Sequence, residues 1–234
     1  MGDSQVRTLT LVVVAAFGLV LLPALAHAQT DVAASIYGSF SGTTNGNGTV
    51  QSPANQAGGM FELRHVSNPI LGFEATYSFN RADLNYRTQQ TGCPAGACGF
   101  TTESVANNAH EITADWVPSL HIANLRPFAL LGAGLLLDVP ASGQATTITT
   151  MQPPCVNGVC PVDITTVSTT PTATSTKAMY VYGAGLDWGL LPRLGLRLQY
   201  RGNLYPAPNV TKVFTSTNTF THTAEPMLGA YFRF

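Results

Sequence analysis

The sequence predicts an all-β protein: an antiparallel, up-and-down transmembrane β-barrel of eight strands, with short periplasmic turns and long extracellular loops. Three observations predict it. The chain opens on an export signal, yet no later apolar run is long enough for a membrane helix. Its extended segments place acids and arginines at the centres of strands whose other face is apolar. The connections between those segments alternate short and long.

The first segment, "MGDSQVRTLTLVVVAAFGLVLLPALAHA", carries Arg7, then a nearly uninterrupted apolar run, and closes on Ala26-His27-Ala28. A small-x-small ending of this kind is a signal-peptide cleavage signature, which makes 1–28 a cleaved leader and Gln29 the first mature residue. A retained anchor is the rival reading, and polar Gln29-Thr30-Asp31 directly after the site weighs against it. Residues 29–234 then form a single barrel domain. Only 10% of residues are charged, against about 25% in ordinary soluble domains. The longest later apolar stretch, "PFALLGAGLLLDV", is broken by Asp138 and falls short of the ~18 residues a spanning helix needs. A net charge of −1 with no basic stripe excludes nucleic acid as a natural partner.

Strands are expected at 31–40, 59–67, 70–80, 106–117, 127–137, 178–188, 194–204 and 222–234. The second, fourth and sixth connections are short: "SN", "SLHIANLR" and "GLLPR". The first, third, fifth and seventh are long. Sorting loops by rim is the habit of outer-membrane barrels, and a soluble sandwich has no reason for it.

Each strand has two distinct faces. In "LGFEATYSFN", Phe73, Ala75, Tyr77 and Phe79 oppose Glu74, Thr76, Ser78 and Asn80. In "AHEITADW", His110, Ile112, Ala114 and Trp116 oppose Glu111, Thr113 and Asp115. In "LRLQYRGNL", Leu196, Leu198 and Tyr200 oppose Arg197, Gln199 and Arg201, and "MFELRH" sets Phe61 and Leu63 against Glu62 and Arg64. Pooled, the inward charges are Glu62, Glu74, Glu111, Asp115, Asp187 and Glu225 against Arg64, Arg197, Arg201 and Arg233. Near balance of sign predicts a lumen charge network in which each buried ion has a partner. An eight-strand barrel is only wide enough for side chains to fill it, so the lumen is expected to be a polar plug. A narrow ion path along the same charges is the alternative. Nothing places a substrate between two of the carboxylates for catalysis.

Aromatic residues are spaced as interface anchors. Trp116 and Trp188 precede short turns, with Phe234 at the same rim, while Phe40, Phe79 and Tyr205 fall near the other rim. The last strand alternates too, with Leu228, Ala230, Phe232 and Phe234 on one face and Arg233 on the other.

Several stretches resemble the small outer-membrane barrels of the OmpA-like and opacity-protein kind: "HEITADWV", "RPFALLGAGLLL", "YVYGAGLDWGL", "LGLRLQYRGNLY" and "THTAEPMLGAYFRF". The similarity spans most of 31–234 outside the long loops, and these motifs are structural ones that specify no activity. The resemblance implies a place in the bacterial outer membrane, with its lipids as partners. It also implies that the C-terminal strand is read by the barrel-assembly machinery during biogenesis, through Leu228, Phe232 and Phe234. Pro226 departs from that pattern, because proline cannot donate to a ladder, and marks either the upper part of the strand or a bulge.

The four cysteines lie in "TQQTGCPAGACGFTTE" and "TTITTMQPPCVNGVCPVDITTV", each pair with four residues between its members. Both stretches read as hairpins that extend the barrel strands beyond the membrane. Their Thr-rich faces argue against extra membrane strands. Four cysteines permit three connectivities; local pairing, Cys93–Cys98 and Cys155–Cys160, is favoured because each pair brackets its own turn. Such a small ring would contribute about 2 kcal/mol in an oxidising compartment. A four-cysteine zinc site is the rival, and the exported context and absence of paired C-x-x-C spacing count against it. No metal and no cofactor are expected.

No enzyme motif is legible. His65 and His110 read as lipid-facing and His121 as a turn residue, while His222 and Glu225, three apart on a strand, point to opposite faces. The expected role is structural or surface-interacting, with an unidentified extracellular ligand. A small low-conductance pore and an enzyme acting on membrane lipid or peptide are the alternatives. An exported soluble β-sandwich is the rival fold.

Overall fold

A computed structural model describes residues 29–81, 83–89, 99–141, 146–151, 164–168 and 171–234. Every regular element among them is a strand. In chain order they are β1 (Gln29–Ser41), β2 (Thr44–Gly46), β3 (Thr49–Pro53), β4 (Gln56–Val66), β5 (Gly72–Arg81), β6 (Leu84–Gln89) and β7 (Phe100–Val105). Then come β8 (Asn107–Trp116), β9 (Leu125–Pro140), β10 (Thr146–Met151), β11 (Ile164–Ser168), β12 (Ser175–Gly189), β13 (Leu194–Pro206) and β14 (Phe220–Arg233).

Eight of these close into an antiparallel barrel in the order β1-β14-β13-β12-β9-β8-β5-β4. Closure is made by β1, which pairs with β4 from Gln29↔Val66 to Ser39↔Gln56 and with β14 from Asp31↔Arg233 to Ser41↔Thr223. All eight predicted strands are present, and several run a few residues past their expected ends. Pro226 faces outward in mid-strand, opposite Tyr200 of β13. On the β1 side the register is the same before and after it, Tyr37↔Met227 and Phe40↔Ala224. The proline therefore interrupts the ladder without a bulge and sits in neither of its two expected places.

The chain is turned inside out relative to a soluble domain. Ile36, Phe61, Phe73, Leu131, Leu135, Leu198 and Leu228 are all more than half exposed on the outer face. Arg64, Arg201, Asp187 and Glu225 are fully buried within. Water would penalise that outer band, whereas lipid accepts it. Three tight connections define one rim. In the first, Asn68 Oδ1 accepts from the Ile70 and Leu71 amides at 3.0 and 2.9 Å.

The other rim carries a second sheet, ordered β11-β10-β7-β6-β3-β2. The strands that flank the two cysteine pairs do pair antiparallel, β6 with β7 and β10 with β11, outside the barrel. They do not stand alone, however. β7 pairs with β10, and β6 pairs with β3, so three separate loops knit into one six-stranded layer. The β2–β3 hairpin was not expected from the sequence; it turns on Asn47 (φ 51°) and Gly48 (φ 74°), the residue pair that a two-residue hairpin with positive φ favours.

Candidate functional site in the lumen

The half of the lumen nearest the short turns is filled by an ion-pair network. Asp187 of β12 is its hub. It receives Arg197 Nε at 2.7 Å, Arg126 Nη2 at 2.7 Å and Arg64 Nη1 at 3.3 Å. Arg197 continues to Asp31 at 2.9 Å and to Glu62 at 2.5 Å. Arg64 holds Glu74 through Nη2 at 2.5 Å and Nε at 2.7 Å. Arg126 reaches Asp31 at 2.5 Å and Gln29 Oε1 at 3.0 Å. Ser35 Oγ donates to the free oxygen of Glu62 at 2.5 Å. These charges come from β1, β4, β5, β9, β12 and β13, so the network ties the wall together across its interior. Phe128 supplies a ring 4.0 Å from the Arg64 guanidinium carbon, a cation–π contact inside the same layer.

Nearer the loop rim the balance of sign changes. Arg201 faces Asp115 at 3.6 Å and donates to Thr76 and Thr113, both at 3.1 Å. Glu111 makes no ion pair among the described residues; its Oε2 accepts from Ser78 at 3.1 Å and Asn203 at 3.3 Å. Asp138 accepts from Asn107, and its second oxygen has no partner among the described residues. Glu225 is fully buried and neither carboxylate oxygen has a hydrogen-bond partner among the described residues.

A cap closes this end. The β13–β14 loop folds against the outer sheet, burying Val210 and Phe214 with Leu84, Tyr86 and Val105. Tyr86 stacks on Phe214 at 5.8 Å, and its hydroxyl accepts from the Val210 amide at 3.2 Å. Burial pushes the Tyr86 phenol above the ordinary tyrosine range, which keeps it protonated. Gln51 Nε2 donates to Pro208 O at 2.7 Å, and Thr211 Oγ1 donates to Glu103 at 2.6 Å.

Of the ten predicted lumen charges, Glu62, Arg64, Glu74, Asp187 and Arg197 meet in the turn-side network, and Asp115 with Arg201 makes a separate pair. Three depart from expectation, Glu111 among them, since it has hydrogen bonds but no ion pair among the described residues. Glu225 is inward but makes no ion pair among the described residues; Arg201, opposite it in register, turns its two terminal nitrogens to Asp115, Thr76 and Thr113. Arg233 is only partly buried at the turn rim, in range of the Tyr231 ring at 5.4 Å, and makes no ion pair among the described residues. Arg126 and Asp31 were missed. Arg126 falls in the predicted fourth connection, whereas β9 starts at Leu125; Asp31 shares the inward parity of Ser35, a signal that was available. Trp116 and Trp188 are 42% and 51% exposed at the turn rim, and Trp116 Nε1 donates to Ile70 O at 2.6 Å. Tyr205, expected at the opposite interface, instead points inward and bonds Thr223 at 2.7 Å. Leu228, Phe232 and Phe234 all lie on the outer face. His222 meets Tyr182 at 2.8 Å on the outside while Glu225 is inside, so no base–acid pair forms. The leader and all four cysteines, Cys93, Cys98, Cys155 and Cys160, lie outside the described residues.

A closed antiparallel barrel, apolar without and charged within, is a transmembrane β-barrel. No protein-family model and no characterised protein sequence matches the chain. Among solved structures it is similar to Neisserial surface protein A, at 14% identity and TM-score 0.45, covering 88% of this chain and 97% of that one. It is similar to Ail, the attachment invasion locus protein of Yersinia pestis, at 15% identity and TM-score 0.40, covering 89% and 100%. The outer membrane protein OprG of Pseudomonas aeruginosa matches at 8% identity and TM-score 0.42, covering 88% and 95%. None of these likenesses assigns an activity to this chain.

Proposed function

We propose that the chain is an integral protein of the bacterial outer membrane, exported by its 1–28 leader, with a structural or surface-interaction role and no enzymatic one. The single observation that carries this reading is the combination of a plugged barrel and an ordered platform. The lumen is crossed by interlocked arginines and carboxylates, and the loop rim bears a six-stranded sheet sealed to it by the Tyr86–Phe214 cap. Such a barrel is an anchor for what stands above it. In this reading the short turns are periplasmic, outer-membrane lipids contact the exposed apolar band, and the barrel-assembly machinery reads Leu228, Phe232 and Phe234. Disulfides Cys93–Cys98 and Cys155–Cys160 staple the tips of β6–β7 and β10–β11.

Planar-bilayer recording on the folded full chain tests the plug, with unheated and boiled gel mobility confirming that the barrel has inserted. The expected result is no stepwise conductance. Discrete channels that are abolished by neutralising Glu111 or Asp138 would replace this reading with the low-conductance pore.

A further inference from the structure

Between the ion-pair network and the cap lies a small pocket of about 20 Å³, room for one water-sized species. Its floor and sides include Glu111, Asp138, Asn80 and Tyr205, with Ser39 and Ser41 from β1. Pro53, Leu84 and Pro208 of the cap complete its lining.

The chemistry of its lining is one-sided. Asp138 is 2% exposed and its Oδ2 has no hydrogen-bond partner among the described residues. Asn80 is 5% exposed, lines the same pocket, and its Oδ1 is likewise unpartnered. Glu111 makes no ion pair among the described residues. Lys177 is in electrostatic range of Asp138 but forms no ion pair with it. Two carboxylates and an amide oxygen therefore line one pocket, with Asp138 Oδ2 and Asn80 Oδ1 lacking a donor among the described residues, in a place where burial heavily penalises an unpaired charge. The turn-side network differs, because there each carboxylate meets at least one guanidinium.

We propose that Glu111, Asp138 and Asn80 hold a hard divalent cation of the calcium kind in this pocket. Oxygen-only ligands of mixed charge suit such an ion, and Ser39 and Ser41, the latter hydrogen-bonded to Thr223 at 2.7 Å, add hydroxyls to the same lining. The ion would complete the sign balance of the loop-side half and brace β5, β8 and β9 beneath the cap.

The test uses the full chain folded in detergent, stripped with chelator and titrated with radioactive calcium. Terbium provides a second readout through luminescence sensitised by Tyr205. One bound ion per chain is expected, weakened at least tenfold in Asp138→Asn and in Asn80→Leu, and unchanged in Asp83→Asn on the outside of the rim. Tyr205→Phe should lower the terbium signal without lowering calcium binding. Each variant is scored only if its unheated gel mobility shows a folded barrel; if Asp138→Asn fails that check, Asn80→Leu and Glu111→Gln decide. Absence of calcium binding in the folded wild-type chain overturns the proposal and assigns the pocket to protonated carboxyls. Binding that is equal in the wild-type chain and the folded variants overturns it too, since the ion would then sit elsewhere.

Discussion

Arg197 and Asp187 face each other across neighbouring strands and meet side-on, Nε to Oδ1 at 2.7 Å and Nη2 to Oδ2 at 3.1 Å. Two parallel charge-assisted bonds fix both side chains in one plane. From that plane Arg197 also reaches Asp31 and Glu62, so a single guanidinium spans from β13 to β1 and β4.

Removing Arg197 takes a guanidinium from three buried carboxylates: Glu62 loses its ion pair, while Asp31 and Asp187 keep only Arg126 and, for Asp187, Arg64. Arg197→Ala should destabilise the folded barrel by about 3–5 kcal/mol, the penalty for breaking a buried pair from one side. Arg197→Lys should restore little of it, because an ammonium cannot reproduce the two-pronged contact. Urea titration in detergent, read by gel mobility, measures both.

The outer band makes the opposite demand. Leu198 is 61% exposed, next in sequence to buried Arg197 but on the other face of β13. Leu198→Arg should cost about 2–4 kcal/mol in a bilayer, the range for a cation on a lipid face near mid-depth. A soluble sandwich would tolerate or welcome the same change, so refolding yield in lipid vesicles separates the two folds.

Gly132 of β9 points inward at a place where the neighbouring strand crowds it. A Cβ there would lie 2.0 Å from Asp115 Oδ1 and 2.4 Å from the Ala114 carbonyl oxygen, and the backbone contact cannot be relieved by a rotamer change. Gly132→Ala should lower the yield of folded barrel and loosen the Arg201–Asp115 pair. Gly59→Ala is the matched control, because its nearest neighbour is 4.0 Å away. Comparing the folded fractions of the two variants checks the prediction.

Phe214 anchors the cap against Tyr86 and Leu84. Phe214→Ala should remove about 3 kcal/mol from the cap alone, by analogy with other large-to-small core changes. The expected signature is new protease cleavage within 207–219 while the heat-modifiable mobility of the barrel persists. Loss of both together would mean that cap and barrel unfold as one unit.

The barrel was legible because its rule is local. A period of two, broken by short turns, marks each strand from its own residues, and β5, β8 and β13 show the expected faces. Arg126 escaped because strand ends are the least local part of that pattern: β9 begins just before it, inside what reads as a turn. The outer sheet escaped for a different reason. Its hairpins are visible one at a time, and Asn47-Gly48 marks another, but the pairing of β7 with β10 joins segments that share only threonine-rich, featureless register. Glu225 and Asp138 show a third limit. Parity tells which way a charge points, whereas its partner is set by side chains arriving from across the lumen.

The joining of β3 to β6 and of β7 to β10 also bears on how such a surface can change over time. Loops that protrude separately can be lengthened, shortened or exchanged one by one. Here each hairpin is the edge on which the next is built, so an altered residue count in one shifts the alignment offered to its neighbour. Variation on this face is therefore constrained to swap side chains on a conserved lattice, or to replace the three hairpins as a set.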